Sequence, residues 1–98
     1  MTKQEILLYL SNHKDEFFQR FGLIKLGLFG SYAKGTNSEE SDIDIIIELD
    51  NNLDNVYSKK KEFKLVLENY FQKNVDIARE KYLKPLAKES IMEHVTYV

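Results

Sequence analysis

The sequence contains no cysteine, only one proline and four glycines among its 98 residues. Without cysteine there is no disulfide framework, no thiolate zinc site and no cysteine nucleophile. No run of about 18 apolar residues occurs, and the first residues predict a helix start, so neither a signal peptide nor a membrane-spanning segment is expected. We therefore expect a cytoplasmic protein.

An excess of either charge is also missing, because 14 Lys and Arg residues are mixed with 16 Asp and Glu residues, for a net charge of −2. The lack of a basic stripe argues against direct nucleic-acid binding. A hydrophobic fraction of 43% with 31% charged residues is typical of a globular protein. The length leaves room for one core, which predicts a single domain over residues 1–98.

The first third of the chain predicts a helix, a strand and a glycine-bounded loop. Apolar residues recur at helical spacing over residues 2–20, after a capping box of Thr2 and Glu5, and Gly22 is the expected stop. Alternation then predicts a short strand that ends at Gly30, with one face formed by Ile24, Leu26 and Leu28. The loop that follows runs to Gly35.

The rest of the chain predicts two more strands and two more helices. In the second strand, residues 42–49, a core face carries Ile43, Ile45, Ile47 and Leu49, and the other face carries Asp42, Asp44, Ile46 and Glu48. A turn leads to an amphipathic helix from Val56, which Asn74 closes, and then come a strand at 75–78 and a helix that begins at Pro85. This order predicts an α+β fold, a small mixed β-sheet with helices packed on one face.

Two aspartates stand two positions apart on the second strand. Asp42 and Asp44 therefore share a face, with Cα atoms roughly 6–7 Å apart. Asp76 lies opposite the core residues of the third strand and joins them if that strand pairs with the second. Three such carboxylates repel one another unless a cation neutralises them, and oxygen ligands favour Mg²⁺, with Mn²⁺ as a substitute. We predict that Asp42, Asp44 and Asp76 are both catalytic residues and metal ligands.

The glycine-bounded loop supplies a second part of the pattern. Glycine lets the backbone of Gly30 approach a phosphate, and the Ser31 hydroxyl can bond its oxygens, which predicts nucleotide binding by both residues. A P-loop is excluded because Thr36 occupies its lysine position. Taken singly, each aspartate could be a solvated surface carboxylate and Gly30-Ser31 an ordinary turn. Together they favour an enzyme that acts on a nucleoside triphosphate.

Gly30-Ser31, the Asp42-Ile43-Asp44 run and Val75-Asp76-Ile77 together resemble the signature of the minimal nucleotidyltransferase (MNT) branch of the DNA polymerase β-like superfamily. In that family, the equivalents of Asp42 and Asp44 bind two metal ions, the equivalent of Asp76 completes the triad, and the Gly-Ser pair holds the triphosphate. The resemblance implies that these residues have the same roles with two Mg²⁺ ions and ATP.

The resemblance also implies a biological role. MNT proteins are typically antitoxins that transfer AMP from ATP to a hydroxyl, such as a tyrosine, of a partner HEPN-domain ribonuclease toxin and so neutralise it. One alternative is a non-catalytic antitoxin that masks the toxin by binding alone. Another is nucleotidyl transfer to a small molecule or to an RNA end, against which the short chain and the absent basic stripe argue.

Overall fold

The computed structural model describes all 98 residues, and its sheet has four strands in the order β3-β2-β1-β4. These strands are β1 (Leu23–Phe29), β2 (Ile43–Leu49), β3 (Val75–Arg79) and β4 (Thr96–Tyr97). Strand β1 pairs antiparallel with both β2 and β4, whereas β2 and β3 are parallel. The sheet is therefore mixed, which confirms the predicted α+β class, and β3 lies at one edge.

Five helices and a 3₁₀ turn complete the chain: α1 (Lys3–Asn12), α2 (Lys14–Phe21), α3 (Gly30–Lys34), α4 (Val56–Phe71), the 3₁₀ turn (Glu80–Tyr82) and α5 (Pro85–Met92). One cluster of 17 buried residues joins α1, α2 and α4 to the inner face of the sheet. The predicted core face of β2 is confirmed, because its four apolar residues are at most 1% exposed. No helix has both the length and the apolar character needed to cross a lipid bilayer.

The first helix is not continuous, so its predicted span of 2–20 is wrong. His13 has a φ of −108° and a ψ of 8°, outside the helical region, and it separates α1 from α2. Its ring packs 4.6 Å from the ring of Tyr9 and 5.6 Å from that of Phe17, centroid to centroid. Aromatic packing at the bend thus accompanies a break that apolar spacing does not reveal. The predicted stop is confirmed, since Gly22 adopts a left-handed conformation at the end of α2.

Strand β1 begins with an irregularity that changes which residues face the core. The pairing with β2 shifts register between Leu23 and Lys25, as in a β-bulge, which places an extra residue in one strand. Leu23 is buried, whereas Ile24 is 53% exposed. The predicted face of Ile24, Leu26 and Leu28 is therefore wrong at its first member, because strict alternation does not hold across a bulge.

Three elements later in the chain also differ from prediction. The stretch after β1 forms the short helix α3 instead of a loop, and Gly35 ends it at a φ of 78°. Helix α4 ends at Phe71, and the capping residue Gln72 takes a left-handed conformation, so the helix does not extend to Asn74. The strand β4 was not predicted; its two residues follow α5 and pair with Gly27 and Leu28, near the end of β1. Such a short pairing carries no periodic signal in the sequence.

Candidate active site

The parallel pairing of β2 and β3 brings two of the predicted aspartates together. Asp44 lies opposite Asp76 in this ladder, one step along from the buried pair Ile43 and Val75. Asp42 stands just before β2, two residues from Asp44. Asp42 and Asp76 are exposed, whereas Asp44 is half-buried. The three carboxylates thus gather where β2 and β3 begin, on the face away from the core.

Burial and charge repulsion both disfavour ionisation of Asp44, the central member of this group. The pKa of Asp44 is raised from its ordinary value of 3.8 to about 6, first by burial and then by the neighbouring carboxylates of Asp76 and Asp42. Desolvation and like charge both disfavour an ionised carboxylate. Asp44 therefore lies in a position where a bound cation would be strongly favoured at neutral pH.

Gly30 packs directly against the Asp44 carboxylate. It follows Phe29, the β1 partner of Asp44, and begins α3 with a φ of 73°. A Cβ at this position would lie 2.8 Å from Asp44 Cγ, so no side chain fits without displacing the carboxylate. Ser31 is half-buried in the first turn of α3, where backbone N–H groups have no intrahelical acceptor. This arrangement agrees with the predicted nucleotide-binding role of Gly30 and Ser31, which stays a prediction.

The three carboxylates do not by themselves form a closed metal cage. No group of three or more His, Cys, Asp or Glu side chains lies close enough to hold an ion. Mg²⁺, however, usually takes only one or two protein carboxylates and completes its shell with water and substrate phosphates. The donor set, which contains oxygen alone, and the raised pKa of Asp44 both fit such an ion. Metal binding by Asp42, Asp44 and Asp76 stays a prediction.

A buried ion pair further along β2 was not predicted from the sequence. The carboxylate of Glu48 accepts hydrogen bonds from Arg79 Nη2 at 3.1 Å, from the Lys81 amide at 2.9 Å and from the Leu49 amide at 2.9 Å. Burial alone would raise the pKa of Glu48, but these bonds and the Arg79 charge outweigh it and lower that pKa. The ion pair ties the end of β3 to β2. The sequence feature that could have indicated this ion pair is Glu48, an acidic residue on a strand otherwise rich in isoleucine.

Comparison with known proteins links this geometry to one family. A sequence profile for the nucleotidyltransferase domain matches residues 10–98. A Methanocaldococcus jannaschii protein, provisionally named a protein adenylyltransferase, is 38% identical over 98 residues, which cover 99% of this chain and 98% of that protein. The protein adenylyltransferase MntA of Thermococcus cleftensis is 33% identical over 100 residues and is covered to 97% of its length.

Solved structures share the fold. A structure provisionally described as a minimal nucleotidyltransferase superposes with a TM-score of 0.79 at 24% identity, over 98% of this chain and 95% of that chain. A toxin–antitoxin with AMP-PNP gives a TM-score of 0.67 at 24% identity, over 88% of this chain and 69% of that chain. A tri-AMPylated Shewanella oneidensis HEPN toxin in complex with MNT antitoxin gives a TM-score of 0.61 at 20% identity, over 92% of this chain and 69% of that chain.

Proposed function

The chain belongs to the nucleotidyltransferase domain family, and from this membership we propose that it is a protein adenylyltransferase and an antitoxin. Acting as a single domain over residues 1–98, it transfers AMP from ATP to a hydroxyl of a HEPN-domain toxin and so neutralises it. Two relatives named for protein adenylylation, one of them provisionally, align over nearly their full length. Similar folds occur in a toxin–antitoxin with AMP-PNP and in a complex with an AMPylated HEPN toxin.

The observation that carries the proposal is the pairing of Asp44 with Asp76 beside Gly30. Two carboxylates from adjacent strands and a backbone that no side chain shields lie within one small region. Carboxylates that would hold Mg²⁺ beside a surface open to phosphate are what transfer from a nucleoside triphosphate requires. Asp42 adds a third carboxylate at the exposed end of the group.

The proposed reaction is a substitution at the α-phosphorus of ATP. The acceptor hydroxyl oxygen forms a bond to that phosphorus, the bond from the phosphorus to the bridging oxygen breaks, and pyrophosphate leaves with the bonding electron pair. The carboxylate of Asp76 accepts the hydroxyl proton, while Gly30 and Ser31 hold the triphosphate. Asp42, Asp44 and Asp76 would hold Mg²⁺, which, when bound, supplies the positive charge that offsets the developing negative charge.

The exposure of the site explains why the acceptor belongs to another protein. Asp42 and Asp76 are both exposed, so the face that they share is open to solvent. Precise placement of a nucleophile requires groups that surround it. A partner that presents its own hydroxyl on a folded surface supplies that enclosure.

A mass measurement tests the proposal. The protein is incubated with ATP, Mg²⁺ and the HEPN-domain protein encoded beside it, and the intact mass of the latter is determined. We expect a gain of whole AMP units, at a hydroxyl side chain located by fragmentation. Asp42→Asn is the matched variant, and it should bind the partner without modifying it. If Asp42→Asn protects cells from the toxin as well as the wild type does, neutralisation occurs by binding alone.

A further inference from the structure

A series of shallow concavities runs along α4 and starts beside Asp42, at the edge of the candidate active site. The first is bordered by Asp42 and by Leu65 and Glu68 of α4. The second shares Leu65 and Glu68 and extends to Tyr57 and Lys60. The third shares Tyr57 and Lys60 and reaches the 3₁₀ turn. We call this series of adjoining concavities, from Asp42 to Tyr82, the α4 trough.

The middle and far parts of the α4 trough are rich in positive charge. Four lysines line it, and none of them takes part in an ion pair: Lys60, Lys61, Lys64 and Lys81. The acidic residues in these two parts are only Glu68 and Asp50. Since the whole chain has a net charge of −2, this concentration of lysines is a local feature of the surface.

Apolar and aromatic side chains are exposed among these lysines. Tyr57 is 78% exposed, Tyr82 is 69% exposed and Leu65 is 52% exposed. Tyr82 makes two cation–π contacts: the Arg79 guanidinium lies 4.8 Å and the Lys81 ammonium 5.3 Å from the centre of its ring. Exposed tyrosines within a charged rim are typical of surfaces that bind other proteins.

We propose that the α4 trough docks an acidic surface of the acceptor protein and so directs its hydroxyl to the Asp42 end. The acceptor's identity rests on the proposed function; the chemistry of the surface rests on the four unpaired lysines. A protein fits this surface better than RNA does. Leu65 offers an exposed apolar contact that a phosphate chain does not use.

A charge-reversal pair tests the docking surface. Lys60→Glu/Lys64→Glu changes two exposed or half-buried side chains of the trough, and Lys3→Glu/Lys14→Glu changes the net charge equally in the first turns of α1 and α2. Acidic residues suit those first turns, so the control should fold. For the trough variant we expect a Kd for the HEPN-domain protein raised about 10-fold or more, mainly through slower association. We also expect a raised KM for that acceptor with kcat nearly unchanged.

A probe of defined chemistry makes the test independent of the acceptor. Decaglutamate peptide, titrated at low salt into ¹⁵N-labelled protein, should shift amide signals of the four trough lysines and have little effect on the double variant. No shifts at these residues, or tighter binding of oligouridine than of the peptide, would overturn the proposal. If wild-type protein transfers no AMP but the peptide still maps to the trough, the proposed function fails and the docking surface stands. If wild type and trough variant transfer AMP with equal KM, the docking surface is wrong and the proposed function stands.

Discussion

Asp44 lies opposite Asp76 across the parallel strands β2 and β3, and Gly30 packs against the Asp44 carboxylate from the other side. The ionisation of Asp44 therefore depends on one neighbour in the sheet, and its position depends on another at the start of α3. Each dependence leads to a measurable consequence.

Two glycine-to-alanine substitutions distinguish the effect of backbone strain from the effect of a clash with Asp44. Gly30 and Gly35 both have positive φ, 73° and 78°, but only at Gly30 would a Cβ meet Asp44; at Gly35 nothing lies within 4 Å. Both alanine variants should lose about 1–2 kcal/mol of unfolding free energy through backbone strain. Gly30→Ala should also lose most of its AMP transfer, while Gly35→Ala retains it. Equal activity of the two variants would contradict the contact with Asp44.

Removal of any one carboxylate should abolish transfer without unfolding the protein. Asp42→Asn, Asp44→Asn and Asp76→Asn each relieve repulsion in the metal-free protein, so its melting temperature should stay the same or rise. Asp54→Asn, at an exposed position outside the site, serves as control and should keep full activity. Near wild-type transfer by Asp42→Asn or Asp44→Asn would refute the assignment of these residues.

Mg²⁺ and ATP should stabilise the protein together more than either does alone, because each completes the coordination of the other. At free ligand of about 100 times Kd, mass action adds about 2.7 kcal/mol to the unfolding free energy. For a domain of this size, that corresponds to a melting temperature higher by on the order of 10 °C. Thermal scans with both ligands, each ligand and neither should show this synergy, and Asp44→Asn should lack it.

The metal-free protein should lose stability as pH rises from about 4 to about 6. The pKa of Asp44 is raised in the folded state from 3.8 to about 6, so the folded state holds this proton more tightly than the unfolded state does. The resulting stabilisation is complete below the ordinary pKa and disappears as pH passes the folded value. Urea unfolding across this range should detect the loss, and Asp44→Asn should flatten that part of the profile.

The Glu48–Arg79 ion pair should contribute strongly to stability. Both side chains are only about a tenth exposed, so Glu48→Gln leaves a buried guanidinium without its counter-charge, at a cost of about 3 kcal/mol. Glu80→Gln is the control, because the Lys25 partner of Glu80 is half exposed, and its loss should cost less than about 1 kcal/mol. The lowered pKa of Glu48 means that this contribution is present above the ordinary pKa of glutamate and disappears as pH falls through the folded value.

The sequence predicted the placement of the three aspartates better than it predicted the elements around them. Alternation along residues 43–49 places Asp44 opposite the core face, and the short Val75-Asp76-Ile77 pattern does the same for Asp76, so local period was sufficient there. Ile24 and His13 were misassigned because a bulge and a bend interrupt an otherwise regular period. Strand β4 and the Glu48–Arg79 pair join residues far apart in sequence, and a local pattern contains no information on such contacts.

The topology also has a consequence for the order in which the site forms during folding. Strands β1 and β2 are neighbours along the chain, whereas β3 reaches β2 only after the whole of α4. Contacts that close a long stretch of chain are slow to form. A folding chain would therefore bring Gly30 to Asp44 before Asp76 arrives, and any partly folded species that lacks the β2–β3 pairing would have no complete triad. Under the proposed mechanism, such a chain would not use ATP until the edge strand had docked.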